Sequence, residues 1–345
     1  MARSDRFLKA CRLEQPDRTP IWLMRQAGRY MEEYRRLRER HTFMEMCKTP
    51  ELAVEVTLQP IRRFDLDAAI IFSDILLPLE KMGAALQFTD TGGPAIDRPL
   101  RSKQDVAAMR AIDPEQDLAY LLSALEMTRA ELAGKVPLIG FSGAPFTLAS
   151  YLIEGGGSKH YQLTKSFMYR ETKLFHLLME KLTDMTLANL NAQIRHGAQA
   201  VQVFDSWIGI LSVMDYREYV MPHMKRLFAG LDASVPRIHF GVGTCHLLGL
   251  MKDAGGDVIG VDWRVPIDEA WLSMGRTRAI QGNLDPVTLF SPGGYLERQV
   301  RDILRRVGGA SGHIFNLGHG ILPGTPVENV DLLIRTVHAY GGDGA

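Results

Sequence analysis

The sequence predicts an α/β fold, a single (β/α)8 barrel with its active-site cleft at the C-terminal ends of the strands. Three observations point there. Eight short apolar runs rich in β-branched residues recur along the 345 residues. Most are continuous rather than alternating, the pattern of strands covered on both faces. Segments of helical spacing separate them, and strands that alternate with helices form a parallel sheet. Eight such units over this length favour a closed barrel over an open doubly wound sheet.

The runs, in order, are PIWLM (20–24), LDAAIIF (66–72), VPLIGF (136–141), AVQVF (200–204), RIHFGV (237–242), DVIGVDW (257–263), RAIQGNL (278–284) and HIFNLG (313–318). After the second run, residues 81–100 carry Gly92, Gly93 and Pro94 and predict an inserted hairpin or flap. A long helix is expected from Ser166 to His196, with Leu174, Leu178, Met185 and Ala192 on one apolar stripe and Lys173, Glu180 and Lys181 outside it. Thr325, Pro326 and Glu328 fit the N-cap, first-turn proline and capping-box acid of a last helix through VDLLIRTV. No repeat, low-complexity tract or linker divides the chain, so residues 1–345 are expected to form one domain.

Composition narrows the class. With 46% apolar and 23% charged residues the chain can bury a large core. Its 40 basic and 40 acidic residues cancel, so nothing global argues for nucleic acid or membrane, and an anionic partner must meet a local cluster. Cys11, Cys47 and Cys245 are too few and too scattered for a disulfide framework or a paired CxxC metal site. The N-terminal MARSDRFLKACRLEQPDR lacks the apolar centre of a secretion signal, and no run approaches the roughly 18 apolar residues of a membrane span. A cytoplasmic protein is expected.

Polar residues that follow the runs should collect on the active rim. Arg25 and Arg29 follow the first run, Ser73 and Asp74 the second, Asp205 and Ser206 the fourth, and His319 the eighth. If RQAGRY is helical, Arg25 and Arg29 share a face and repel by a few tenths of a kcal/mol unless an anion lies between them. Glu32 with Arg36, Arg35 with Glu39, and Arg29 with Glu33 have partners at that spacing, whereas Arg25 has none. Two readings stay open: a solvated helix with ion pairs, or a guanidinium pair gripping carboxylates or phosphates, with Gly28 admitting a ligand closely.

Asp74, between AAIIF and ILLPL, either caps a turn or is a desolvated carboxylate that needs donors from a ligand. His319, between two glycines, is either structural or presented from an irregular loop. IEGGGSKH (153–160) is a flexible turn or a mobile lid, and it is not a phosphate loop, since no GxxxxGK[ST] pattern occurs. Tyr151 and Ser206 carry no signal individually. Cys245 and His246 would point to opposite faces of a strand, with His239 about 20 Å away if the chain is extended, so they make a poor zinc site. No metal site is assigned.

PIWLMRQAGRYMEEYR, AAIIFSDILLP, GFSGAPFTLASYLIEGG, FDSW and NLGHGILPGTP, taken in order, resemble the signature segments of the uroporphyrinogen decarboxylase family. The resemblance implies a cytoplasmic homodimer of single barrels, without metal or cofactor. The implied reaction converts uroporphyrinogen III to coproporphyrinogen III, with loss of carbon dioxide from four acetates, in haem and chlorophyll biosynthesis. It also implies a substrate-binding set of Arg25, Gln26, Ala27, Gly28, Arg29, Arg38, Asp74, Tyr151, Ser206 and His319. Within that set Asp74 is the first catalytic choice. Arg29 and Arg25 join it by gripping carboxylates and assisting a protonation delivered by an arginine-bound carboxyl or a water. The alternatives are a zinc- and corrinoid-dependent methyltransferase of the same barrel, and a non-catalytic tetrapyrrole carrier.

Overall fold

The computed structural model describes residues 5–89 and 93–340. Among them nine strands form two sheets. They are β1 (Ala69–Ile70), β2 (Leu86–Thr89), β3 (Gly93–Ile96), β4 (Leu138–Gly143), β5 (Ala200–Asp205), β6 (Arg237–Gly241), β7 (Val258–Gly260), β8 (Ala279–Leu284) and β9 (His313–Leu317). β1 and β4 to β9 form one parallel sheet in the order β1-β4-β5-β6-β7-β8-β9, with helices between successive strands. Their buried residues alternate between helix-facing and barrel-facing layers, which is why the runs read as continuously apolar.

The predicted first strand is a correction. Residues 20–24 make one parallel bridge, Ile21 to Phe315, so the sheet has seven strands and an extended segment in the eighth place. Pro20 O accepts from Phe315 N at 2.8 Å, and Ile21 O accepts from Asp67 N at 2.8 Å, which links β9 to the chain entering β1. Pairing goes no further because side chains take the next donors. Leu23 N binds Gln26 Oε1 at 3.1 Å and Met24 N binds Asn316 Oδ1 at 3.1 Å. Pro20 has no N–H to give.

The N-terminal helix Arg6–Cys11 closes the opposite end of the barrel, with Phe7 and Ala10 packed on Trp22, Ile139, Ile238 and Ile314. Arg6 bonds the fully buried Asp67 and also Asp17, while Asp67 Oδ2 accepts from Ile21 N at 2.9 Å. Above this plug, Trp22 Nε1, Gln281 and Gln202 form a chain of 3.0 Å hydrogen bonds across the interior. Polar groups there are satisfied by each other, which makes their burial tolerable.

Other boundaries moved. The helix expected from Ser166 is two, Gln162–Arg170 and Thr172–Arg195, broken at Glu171 with φ −123° and ψ 47°. Leu178, Met185 and Ala192 are buried as expected, and Lys181, outside that stripe, donates to Val106 O at 2.9 Å and Met109 O at 2.7 Å. The last helix is Val327–Ala339, with Pro326 at the N-cap position. Thr325 Oγ1 turns back to Leu322 O at 2.8 Å and does not cap it. The flap is a hairpin, β2 antiparallel to β3, and Gly92 lies outside the described residues. Its base is fixed to the glycine-rich segment, Ile96 N to Gly155 O at 2.9 Å and Leu100 N to Leu152 O at 2.8 Å. Among the described residues no helix is long and apolar enough to cross a membrane.

Candidate active site

RQAGRY is a succession of turns, and the helix starts only at Glu32, so the face-sharing rule does not govern Arg25 and Arg29. Arg25 takes a positive φ of 60°, which reverses the chain just as it leaves the barrel. Gln26 is buried, its amide spanning Leu23 N and Ala68 O, and its own carbonyl accepts Tyr30 Oη at 2.8 Å. Its N–H donates to Leu23 O at 2.9 Å, so its side chain, N–H and carbonyl are all engaged in holding the loop. Arg35 does not pair with Glu39; it donates to Arg29 O at 3.0 Å and Tyr30 O at 2.9 Å, tying down the loop's exit. Glu33 pairs with Arg63 at 2.6 Å instead of Arg29, while Glu32 and Arg36 pair as expected. A Cβ on Gly28 would lie 3.1 Å from Arg25 O, so that glycine makes room for the loop's own carbonyl. The result is a fixed loop from which Arg25 and Arg29 project exposed.

The two glycines around His319 have distinct reasons. A Cβ on Gly318 would sit 2.5 Å from Trp263 N, and one on Gly320 would sit 2.5 Å from Arg25 Cδ. The Arg25 stem thus lies across the residue after His319, and Trp263 packs against the residue before it. Gly318→Ala is expected to destabilise the fold, because backbone must move. Gly320→Ala should leave the melting temperature nearly unchanged and raise KM by displacing Arg25, since a side-chain stem can yield where backbone cannot. Thermal melts and steady-state kinetics of the pair check this contrast.

Asp74 follows β1, and its Oδ1 accepts from Leu76 N at 2.9 Å. The capping reading holds for that oxygen only, since the other has no hydrogen bond within the described residues. Desolvation raises this carboxyl above the usual range, opposed by Leu76 N–H and the Arg25 guanidinium. The residue as a whole is part-exposed to the cleft although the carboxyl itself is desolvated. Burial pushes the Tyr151 phenol up to about 12, with Asp74 adding to the rise and Arg25 opposing it. Burial lowers the His319 imidazole, and Arg25 lowers it further. Arg25, Asp74, Tyr151 and His319 therefore share one electrostatic neighbourhood.

Arg29 and Arg38 both act on Tyr34. Burial raises the Tyr34 phenol, and both guanidiniums oppose that rise. Arg38 donates to His41 O at 2.6 Å, and it and Asp74 both act on the buried Cys47 thiol. Ser206 is part-buried beside Trp207, whose ring lies 3.8 Å, centroid to centroid, from that of Tyr151. Ala27 is part-buried in the loop.

Two supports were not assigned from sequence. Thr147 Oγ1 donates to Asp205 Oδ1 at 2.8 Å and accepts from Trp207 N at 3.3 Å, fixing the indole that backs Tyr151. Asp205 is fully buried with Oδ2 unpartnered, and desolvation pushes its carboxyl up to about 7. Its place after a strand marked it as polar rim. The inward orientation was not readable, because a strand-end residue can face either way.

Among the described residues no three His, Cys, Asp or Glu side chains gather in an arrangement that could hold a metal ion. Cys245 is exposed, His246 Nε2 bonds Leu211 O at 2.8 Å, and His239 is buried with neither ring nitrogen bonded.

The family described as Uroporphyrinogen decarboxylase (URO-D) matches residues 2–340. The chain belongs to the uroporphyrinogen decarboxylase family. A protein named uroporphyrinogen decarboxylase from Carboxydothermus hydrogenoformans is 56% identical over 336 residues, covering 97% of this chain and 96% of the relative. One of the same name from Sorangium cellulosum is 55% identical over 336 residues, with the same coverage. Among solved structures, a methyltransferase from Methanosarcina mazei aligns with a TM-score of 0.84 and 19% identity over 98% of each chain. That likeness shows the barrel fold alone. The decarboxylase relatives share this chain's length as well as its sequence, so the barrel described here spans nearly all of what they have.

Proposed function

We propose that this chain is a uroporphyrinogen decarboxylase, acting without a cofactor on the four acetate side chains of uroporphyrinogen III to give coproporphyrinogen III and four molecules of carbon dioxide. The observation that carries the reading is Asp74: one oxygen fixed by Leu76, the other uncommitted, on the same rim as Arg25, in a member of this family. Loss of carbon dioxide from an acetate leaves an electron pair. A pyrrole protonated at a ring carbon becomes a cationic iminium that receives it, giving an exocyclic methylene; protonation of that carbon and loss of the ring proton leave the methyl group, so the substrate supplies its own electron sink. A carboxylate aimed at the pyrrole N–H groups stabilises this cation more than the neutral ground state, which is the condition for acceleration.

The eight carboxylates of the substrate need cations, and Arg25, Arg29 and Arg38 are assigned to grip them. Arginine, with a pKa above about 12, is a poor general acid, so the proton is assigned to an arginine-bound substrate carboxyl or to water. Tyr151, Ser206 and His319 are assigned to peripheral groups and to orienting Asp74, and the Ala27 and Gly28 backbone to the ring edge. Action as one domain, as a homodimer and in the cytoplasm belongs to the same reading. A methyltransferase reading draws only on fold likeness at 19% identity.

Anaerobic incubation with uroporphyrinogen, followed by chromatography that counts product carboxylates, tests the reaction. Products with seven down to four carboxylates are expected, and binding with no product below eight would replace the enzyme by a carrier. Arg29→Ala should raise KM and lower kcat together. The raised Asp74 pKa places the acid limb of kcat/KM above the ordinary aspartate value of about 3.9. Activity falls as pH drops through that limb, because the protonated carboxyl offers no charge to the iminium. A limb at or below the ordinary value in a kcat/KM profile would contradict the assignment.

A further inference from the structure

The rim carries another guanidinium. Arg264 follows β7 by four residues, pairs with the Asp262 carboxylate, and lies 4.2 Å from the centre of the Trp263 ring. Asp262 is 1% exposed and is itself held, Oδ2 by Gly243 N at 2.6 Å and Oδ1 by Arg264 N at 3.2 Å. Asn283 Nδ2 donates to Asp262 O at 2.9 Å and to Val265 O at 2.7 Å, which pins the loop on both sides of Arg264. The plane of this arginine is therefore fixed by an ion pair, a ring face and a bonded backbone.

Its position relative to the site follows from packing. Trp263, under the guanidinium, is the residue against which Gly318 closes, and Gly320 is the residue across which Arg25 lies. His319 stands between them. Besides burial, Arg25 and Arg264 both lower the His319 imidazole, with Asp262 opposing, so both guanidiniums act on this one side chain.

We propose that Arg264 is a further substrate-binding residue, gripping a peripheral carboxylate of the tetrapyrrole beside His319, with Asp262 and Trp263 as its positioning residues. Neutralising Asp262 needs only one nitrogen of the fork. The other guanidinium N–H groups have no acceptor among the described residues, and the side chain is 49% exposed. A guanidinium already held in plane loses little freedom when a carboxylate arrives, which favours binding. This inference rests on the proposed function for the identity of its ligand, though its geometry does not.

The test compares wild type, Arg264→Lys, Arg264→Gln, and the Asp262→Asn/Arg264→Gln double variant, which leaves no buried charge unpaired. Turnover of uroporphyrinogen and equilibrium binding of uroporphyrin, the oxidised octacarboxylate macrocycle, are both measured. KM and Kd are expected to rise about tenfold in Arg264→Gln, less in Arg264→Lys, with kcat changed less than about threefold. The double variant should recover thermal stability but not affinity. If affinity is unchanged in every variant while only the melting temperature moves, Arg264 merely neutralises Asp262 and the proposal is overturned. Wild type that binds uroporphyrin without turning over uroporphyrinogen defeats the decarboxylase reading, yet the change in Kd still decides the role of Arg264. Wild type that neither binds nor reacts overturns both.

Discussion

Asp74→Asn is expected to fold normally and to lose turnover on the order of 10²- to 10³-fold, the scale seen when one preorganised electrostatic group is removed from an active site. The amide is isosteric and its Oδ1 can still accept from Leu76 N, so the loop after β1 keeps its shape. What disappears is the negative charge offered to a cation that exists only on the reaction path. The loss should therefore fall on kcat, with KM changed little.

The same substitution is expected to stabilise the protein at neutral pH. The folded-state pKa of Asp74 is raised above its unfolded value, so ionisation costs folding free energy at pH above the folded pKa and nothing below the unfolded pKa of about 3.9. Asn should raise the melting temperature at pH 7, and the difference from wild type should vanish as pH falls through that window. A variant with wild-type turnover would remove Asp74 from the chemistry. A melting temperature lowered at pH 7 would mean that its charge is held by partners stronger than Leu76 and Arg25.

Arg25→Lys carries the other large expected effect, a 10- to 100-fold fall in kcat/KM, corresponding to about 1.5–3 kcal/mol for a lost charge-assisted hydrogen bond. Lysine keeps the charge, so global steering of an anionic substrate survives. The planar fork is lost, and with it bidentate grip. Arg25 also lies along Gly320 and acts on Asp74, Tyr151 and His319, so its replacement should shift the pH profile as well as KM. Steady-state kinetics across pH read both. Equal kcat/KM in the two proteins would make the guanidinium dispensable and leave Arg25 as a turn residue.

Much of this was readable in the chain. Seven of the eight apolar runs are strands within a few residues, because burial on both faces imposes continuous apolar sequence wherever a strand sits. The flap was readable from about twenty residues around Gly92, Gly93 and Pro94, too long for a simple connection to the next helix. Asp74, Arg25, Tyr151 and His319 were singled out by strand ends and signature segments, and the fold gathers them.

The failures share a cause. Spacing of four does not by itself imply contact: Arg29 lies in the turns before the helix that carries Glu33, and Arg35, although it shares that helix with its C-cap Glu39, sends its guanidinium back to the Arg29 and Tyr30 carbonyls. Here the loop is held by Gln26 and Arg35 through carbonyls brought close by a chain reversal, and Glu33 goes to Arg63, thirty residues away. The predicted first strand, residues 20–24, failed likewise, since Asn316 and Gln26 claim the donors that a strand would have used.

By itself, the sequence determined the strand–helix alternation, the parallel barrel and the residue types at its mouth, since each is written in local periodicity and composition. Only the tertiary structure decided which of those residues face one another. It alone gives Gly318 and Gly320 different neighbours, leaves one oxygen of Asp74 uncommitted, and sets Arg264 beside His319. The physical reason is range: hydrophobic patterning acts over a few residues, whereas desolvation and charge pairing depend on groups that folding brings together from far along the chain.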